Sequence, residues 1–70
     1  MEAEIGMAAG DVYEFLKANG PATINKLRKA TGRKQAELHE AIGWLAREGK
    51  VERMMKGRMQ QWLLAEEGIA

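Results

Sequence analysis

The sequence predicts an α+β fold, mainly helical, in which three helices are followed by a C-terminal two-stranded β-hairpin. Two observations predict it. Apolar residues recur at helical spacing in three stretches before Gly49, and beyond that glycine the period falls to two. The length adds a bound. Seventy residues make one domain, 1–70, that buries only ~60% of the surface its unfolded chain exposes, so the core is small and has no surplus.

The first helix is expected over about residues 3–19. Ile5, Ala8, Ala9, Val12, Phe15 and Leu16 fall on one stripe, with Glu4, Asp11, Glu14 and Lys17 between them. Asn19-Gly20-Pro21 ends it, because glycine accepts the left-handed position past a helix end and proline cannot continue the helix. Ala22-Thr23 leaves room for a minimal extended segment at 22–24. A short second helix, about 24–31, then carries Ile24, Leu27 and Ala30 inward, with Thr23 as its N-cap. Thr31-Gly32 breaks that pattern, and Leu38, Ala41, Ile42, Leu45 and Ala46 mark a third helix over about 34–48, closed by Gly49.

Strands are expected at about 50–55 and 58–64. A turn on Lys56-Gly57 pairs Val51 with Trp62. A turn on Gly57-Arg58 pairs Val51 with Leu64 and Arg53 with Trp62. Both registers place Val51, Trp62 and Leu64 on one face, so the core pattern alone does not choose between them. The acidic tail, 65–70, is expected to fray.

Composition excludes several classes of function. There is no cysteine and a single histidine, His39, which removes disulfides, thiolate zinc sites, thiol nucleophiles and multi-histidine metal sites. No apolar run approaches the ~18 residues of a membrane span, and no signal peptide is evident; a cytoplasmic location is expected. The sequence holds no GxxxxGK[ST] loop and no acid cluster at metal-ligand spacing. Glu37 and Glu40 lie one helical turn apart, but carboxylates on an exposed helix face stay solvated and do not make an acid–base pair. No enzyme activity, cofactor, metal or small-molecule ligand is therefore expected.

Particular stretches carry a family resemblance. Gly20-Pro21-Ala22-Thr23-Ile24-Asn25-Lys26-Leu27 resembles the start of a helix-turn-helix motif, Ala30-Thr31-Gly32 its turn, and Ile42 to Val51 the junction of a recognition helix with a wing. The chain thus resembles a winged helix-turn-helix domain over about residues 5–64, with the hairpin as the wing. Gly43-Trp44-Leu45-Ala46-Arg47-Glu48-Gly49-Lys50 is similar to a small stand-alone prokaryotic winged-helix family of unknown function. The resemblance implies either a DNA reader or a protein-docking module.

The net charge of +1 hides a segregation. Segment sums are −3 over 1–22, +5 over 23–34, −2 over 35–46, +3 over 47–58 and −2 over 59–70. In the implied fold the two positive blocks are the corner between the second and third helices and the wing, which flank a recognition helix and face phosphates. The candidate nucleic-acid contacts are Lys26, Arg28, Lys29, Arg33, Lys34, Gln35, Arg47, Arg53, Lys56 and Arg58. Lys26, Arg28 and Lys29 would hold phosphates. Arg33, Lys34 and Gln35 would enter or border the major groove of double-stranded DNA, where arginine and glutamine have bidentate geometry for bases. Transcriptional regulation is the expected setting. The outward face of the third helix is mixed in sign, so tight binding would want a dimer with two half-sites.

A second group of residues supports the docking alternative. Gly43 costs about 1 kcal/mol relative to alanine in mid-helix; it serves a close approach of a groove wall or partner helix, or else clears space for Trp62. Trp44 lies off the centre of its stripe, either as a half-buried structural residue or as an interface residue. Met54, Met55 and Met59 surround the hairpin tip, an apolar surface suited to a protein partner or a second copy.

Overall fold

A computed structural model of the chain describes residues 2–65, with side chains from Gly6 to Ala65. Helices α1 (Glu2–Asn19), α2 (Ile24–Thr31) and α3 (Gln35–Arg47) precede strands β1 (Val51–Lys56) and β2 (Met59–Leu64). Each helix ends where the local chemistry predicts. The N–H of Gly20 donates to Leu16 O at 2.8 Å beyond α1. Thr23 Oγ1 accepts from the N–H of Lys26 at 3.2 Å and caps α2, and the N–H of Gly32 closes that helix on Arg28 O at 2.8 Å.

At the start of α3 the Glu37 carboxylate accepts from the N–H of Lys34 at 3.0 Å. This is one half of a capping box; Lys34 has no side-chain acceptor with which to return the bond. At the far end the N–H of Gly49 donates to Ala46 O and that of Lys50 to Leu45 O, at 3.0 and 2.8 Å. These two bonds form a Schellman closure, made possible by a φ of 75° at Gly49 that a side chain would oppose.

The core consists of Ala8, Ala9, Val12 and Leu16 from α1, Ala22, Leu27 from α2, Leu38, Ala41, Ile42 and Leu45 from α3, and Val51. Phe15, Ile24, Trp62 and Leu64 pack around it. Ile5 lies outside the described side chains. Two expected members are absent: Ala30 and Ala46 are exposed. Residues spaced by three drift about 60° per step around a helix that advances 100° per residue, so Ala30 has rotated past the buried line and Thr31 takes the half-buried place. Ala46 lies about 90° from the line joining Leu38 and Leu45 by the same geometry.

The hairpin adopts the register built on Gly57-Arg58, with Val51 opposite Leu64, Arg53 opposite Trp62 and Lys56 opposite Met59. Both strands therefore start one residue later than expected. Gly57 has φ 65°, and no residue other than glycine has positive φ among those described. A left-handed first central residue followed by an ordinary one is the signature of a type II′ turn, which matches the twist of the strands. On the far side of β2, Ala22 and Trp62 form an isolated bridge with both backbone bonds present, at 3.0 and 2.8 Å. The extended segment expected at 22–24 is thus one residue of pairing. The N–H of Ala65 reaches Lys50 O at 2.9 Å, so this residue is tied to the sheet instead of fraying; residues 66–70 lie outside the described part.

Leu27 and Leu38 are fully buried. Leu27→Ala should cost about 2–5 kcal/mol, a large share of the ~4–10 kcal/mol expected for this length. Thermal unfolding followed by circular dichroism should show the midpoint falling by at least about 10 °C.

Candidate nucleic-acid interface

The corner between α2 and α3 gathers much of the positive charge. Because Leu27 and the half-buried Ile24 turn inward, Asn25, Lys26, Arg28 and Lys29 turn out. Asn25, Arg28, Lys29, Gly32, Arg33 and Lys34 line one open depression of about 430 Å³. Four of the ten candidate contacts thus share one concave surface, and no acid lines it. Arg28 Nη1 donates to Asn25 Oδ1 at 3.5 Å. Sequence reasoning did not single out Asn25 or Gly32, which carry no charge; their one signal was position, on the outward face and in the turn.

Arg33 has a different situation from its neighbours. Its Nε donates to Asp11 Oδ2 at 2.9 Å, and its Nη1 lies 3.9 Å from Glu37 Oε2. The side chain retains 21% of its exposure against 50% for Asp11. The residue that was to enter or border the major groove is therefore drawn back onto α1, between two carboxylates. Glu37 is likewise engaged, by Arg33 and by the N–H of Lys34. Lys26, Lys29 and Lys34 have no ion pair among the described residues, and all are exposed.

The outward face of α3 is Gln35, Ala36, His39, Glu40, Gly43 and Arg47. Gln35 Nε2 and His39 Nε2 approach to 3.4 Å, so both polar side chains sit on the surface one turn apart. A Cβ built on Gly43 would meet nothing within 4 Å. The idea that Gly43 clears space for Trp62 is therefore wrong: Trp62 packs on the core from the hairpin, and Gly43 opens to solvent. Trp44, 42% exposed, lies beside it.

On the hairpin, Arg53, Lys56 and Arg58 are exposed, and none has an ion pair among the described residues. Met55 and Met59 are 57% and 55% exposed, whereas Met54 is half-buried. Sequence reasoning passed over Met7, an exposed apolar residue of α1, because it falls outside the inward stripe. Among the described residues no helix is long and apolar enough to cross a membrane.

Comparison with protein families gives a match over residues 1–66 to a model described as "Winged helix-turn-helix domain (DUF2582)". Comparisons with curated proteins and with solved structures give no match.

Two outcomes follow from this geometry. A double-mutant cycle on Asp11→Ala and Arg33→Ala, read by urea unfolding, should give a coupling of about 0.5–1 kcal/mol, the range for a pair that is partly solvated. Gly43→Ala should stabilise the isolated chain by about 0.5–1 kcal/mol, because helix propensity improves and nothing is displaced; a rise in melting temperature checks it.

Proposed function

The chain belongs to the winged helix-turn-helix family DUF2582, and from that premise we propose that it binds double-stranded DNA non-covalently, as a transcriptional regulator in the cytoplasm. The observation that carries this reading is the acid-free depression at the α2–α3 corner. Phosphate oxygens are held by cations that a protein does not already neutralise, and such contacts set position and much of the affinity. Lys26, Arg28, Lys29 and Lys34 fill that role at the corner. Arg53, Lys56 and Arg58 grip the backbone from the hairpin, and Arg47, at the end of α3, lies between the two groups in sequence. Gln35 is the residue at the start of α3 best suited to a base edge, through its amide. Arg33 acts by positioning: its hydrogen bond to Asp11 and its longer ion pair with Glu37 tie down the turn that presents Lys34.

A second reading rests on its own observation. Gly43 opens to solvent and Trp44 is two-fifths exposed next to it, a combination suited to a protein partner at α3. Met54, Met55 and Met59 extend that apolar character to the hairpin.

Fluorescence anisotropy with a random duplex tests the first reading. Five to eight phosphate contacts would give log Kd a salt slope with magnitude of roughly 4.5–7. Lys29→Ala or Lys34→Ala should each lower that magnitude by about 1, while Arg33→Ala should change it by less than either. Absence of binding at tens of micromolar protein in low salt rejects the reading. Loss of a protein partner on Trp44→Ala, with DNA affinity intact, would favour the second.

A further inference from the structure

Of the five cations between Thr23 and Lys34, only Arg33 has an ion pair among the described residues. Its partner Asp11 comes from α1, and that carboxylate makes no other hydrogen bond among the described residues. Glu37, by contrast, already caps α3 through the N–H of Lys34. The Asp11–Arg33 pair lies on a border. On one side is the acid-free depression, which Arg33 lines together with Arg28, Lys29 and Lys34. On the other is a second open depression of about 390 Å³, lined by Asp11, Glu14, Phe15, Ala30 and Thr31. A guanidinium offers a carboxylate oxygen the same short, charge-assisted bond that it offers a phosphate oxygen, and Asp11 Oδ2 holds Arg33 Nε at 2.9 Å. A partly solvated ion pair adds little to stability, so the fold gains little from setting a carboxylate against this particular cation.

We propose, on the duplex reading above, that Asp11 sets the affinity of the corner by occupying Arg33 in place of a phosphate. One cation of the depression is thereby withheld from the duplex, and Arg33 stays on α1 in the complex. The corner binds more weakly than its residues allow. Asp11 and Glu14 also turn the surface acidic on the α1 side, which repels phosphates there and confines the duplex to the α2–α3 side. Asp11→Asn isolates the charge. The amide oxygen of asparagine still accepts from Arg33 Nε and keeps the turn tied, but a neutral acceptor competes poorly with a phosphate oxygen for a guanidinium. Arg33 then supplies one further phosphate contact. Counterion release makes such a contact worth about 0.9 in salt slope and, at 0.1 M salt, about three- to eightfold in affinity.

Fluorescence anisotropy with a random duplex, on the wild type, Asp11→Asn, Arg33→Ala, the double variant and Glu14→Gln, tests it. Asp11→Asn should bind about three- to eightfold more tightly than the wild type at 0.1 M salt, with a salt slope larger in magnitude by about 1. In the Arg33→Ala background the same exchange should gain less than about twofold, because a carboxylate with no cation to release acts only through screened repulsion. Glu14→Gln removes an equal charge from the same depression without freeing Arg33 and should likewise gain less than about twofold. The NMR signal of the Arg33 Nε–H should move on duplex addition in Asp11→Asn and hold its place in the wild type. Thermal melts verify that each variant is folded. Duplex binding by the wild type that Asp11→Asn does not strengthen overturns the proposal and leaves the duplex reading standing. So does an equal gain with and without Arg33, or from Glu14→Gln, since Asp11 is then one surface charge among others. A wild-type Arg33 signal that moves as far as that of Asp11→Asn overturns it too. Absence of duplex binding by both the wild type and Asp11→Asn overturns the duplex reading as well.

Discussion

Two backbone hydrogen bonds between Ala22 and Trp62 hold the hairpin to the helical layer, and the rest of the structure depends on them. A two-stranded hairpin is marginal in water unless it packs on something. Here the something is a single residue of strand pairing, the buried Val51 of β1, and the lid formed by Trp62 and Leu64 over the core. The bonds also set a parity. A slip of one residue would turn Trp62 and Leu64 to solvent, and it would exchange the free and occupied backbone groups all along β1. The arrangement carries a cost, since Trp62 Nε1 is buried without a partner among the described residues; an orphaned donor of this kind costs about 1–3 kcal/mol. The indole is evidently worth more as apolar cover than it loses at its nitrogen.

What was legible in the sequence was local. Asn19-Gly20-Pro21, Thr23 and Gly49 state where helices end because each supplies its own chemistry, a left-handed position or a side-chain acceptor, within a turn of the boundary. The stripe of Ala8, Ala9, Val12 and Leu16 was legible for the same reason. Ala30 and Ala46 were not, because spacing by three or four leaves the edge of a stripe undefined by up to a quarter turn. The hairpin register stayed open because both versions satisfy the inward pattern. Turn geometry settles it: a glycine in first central position fits a type II′ turn on Gly57-Arg58.

The candidate site was legible as a sum and not as a set of partners. Adding charges along the chain located the positive corner, which the structure gathers into one depression. It could not say that Arg33 would pair with Asp11, 22 residues away, since nothing within a helical turn of either residue marks the other. Gly43 was ambiguous for a related reason. A glycine in mid-helix announces an unusual neighbour or an open surface, and only the packing of α3 decides which.

The Asp11–Arg33 pair changes how the corner is understood. It engages one cation of the five between Thr23 and Lys34 and in return ties the turn before α3 to α1. Over its own length, Gln35–Arg47, α3 carries Glu37 and Glu40 against Arg47, a net −1, with Glu37 already occupied. Attraction for a polyanion would therefore come from the two ends flanking α3, the corner and the hairpin, and hardly from the helix between them. In the duplex contact proposed above, affinity and register would come from phosphates, and base readout would fall to the few polar side chains of α3. Base contacts add about 1–3 kcal/mol for each good bidentate pair, and a single copy with Gln35 as its best candidate has little of that to offer. Selectivity would then have to come from spacing, which one copy does not possess.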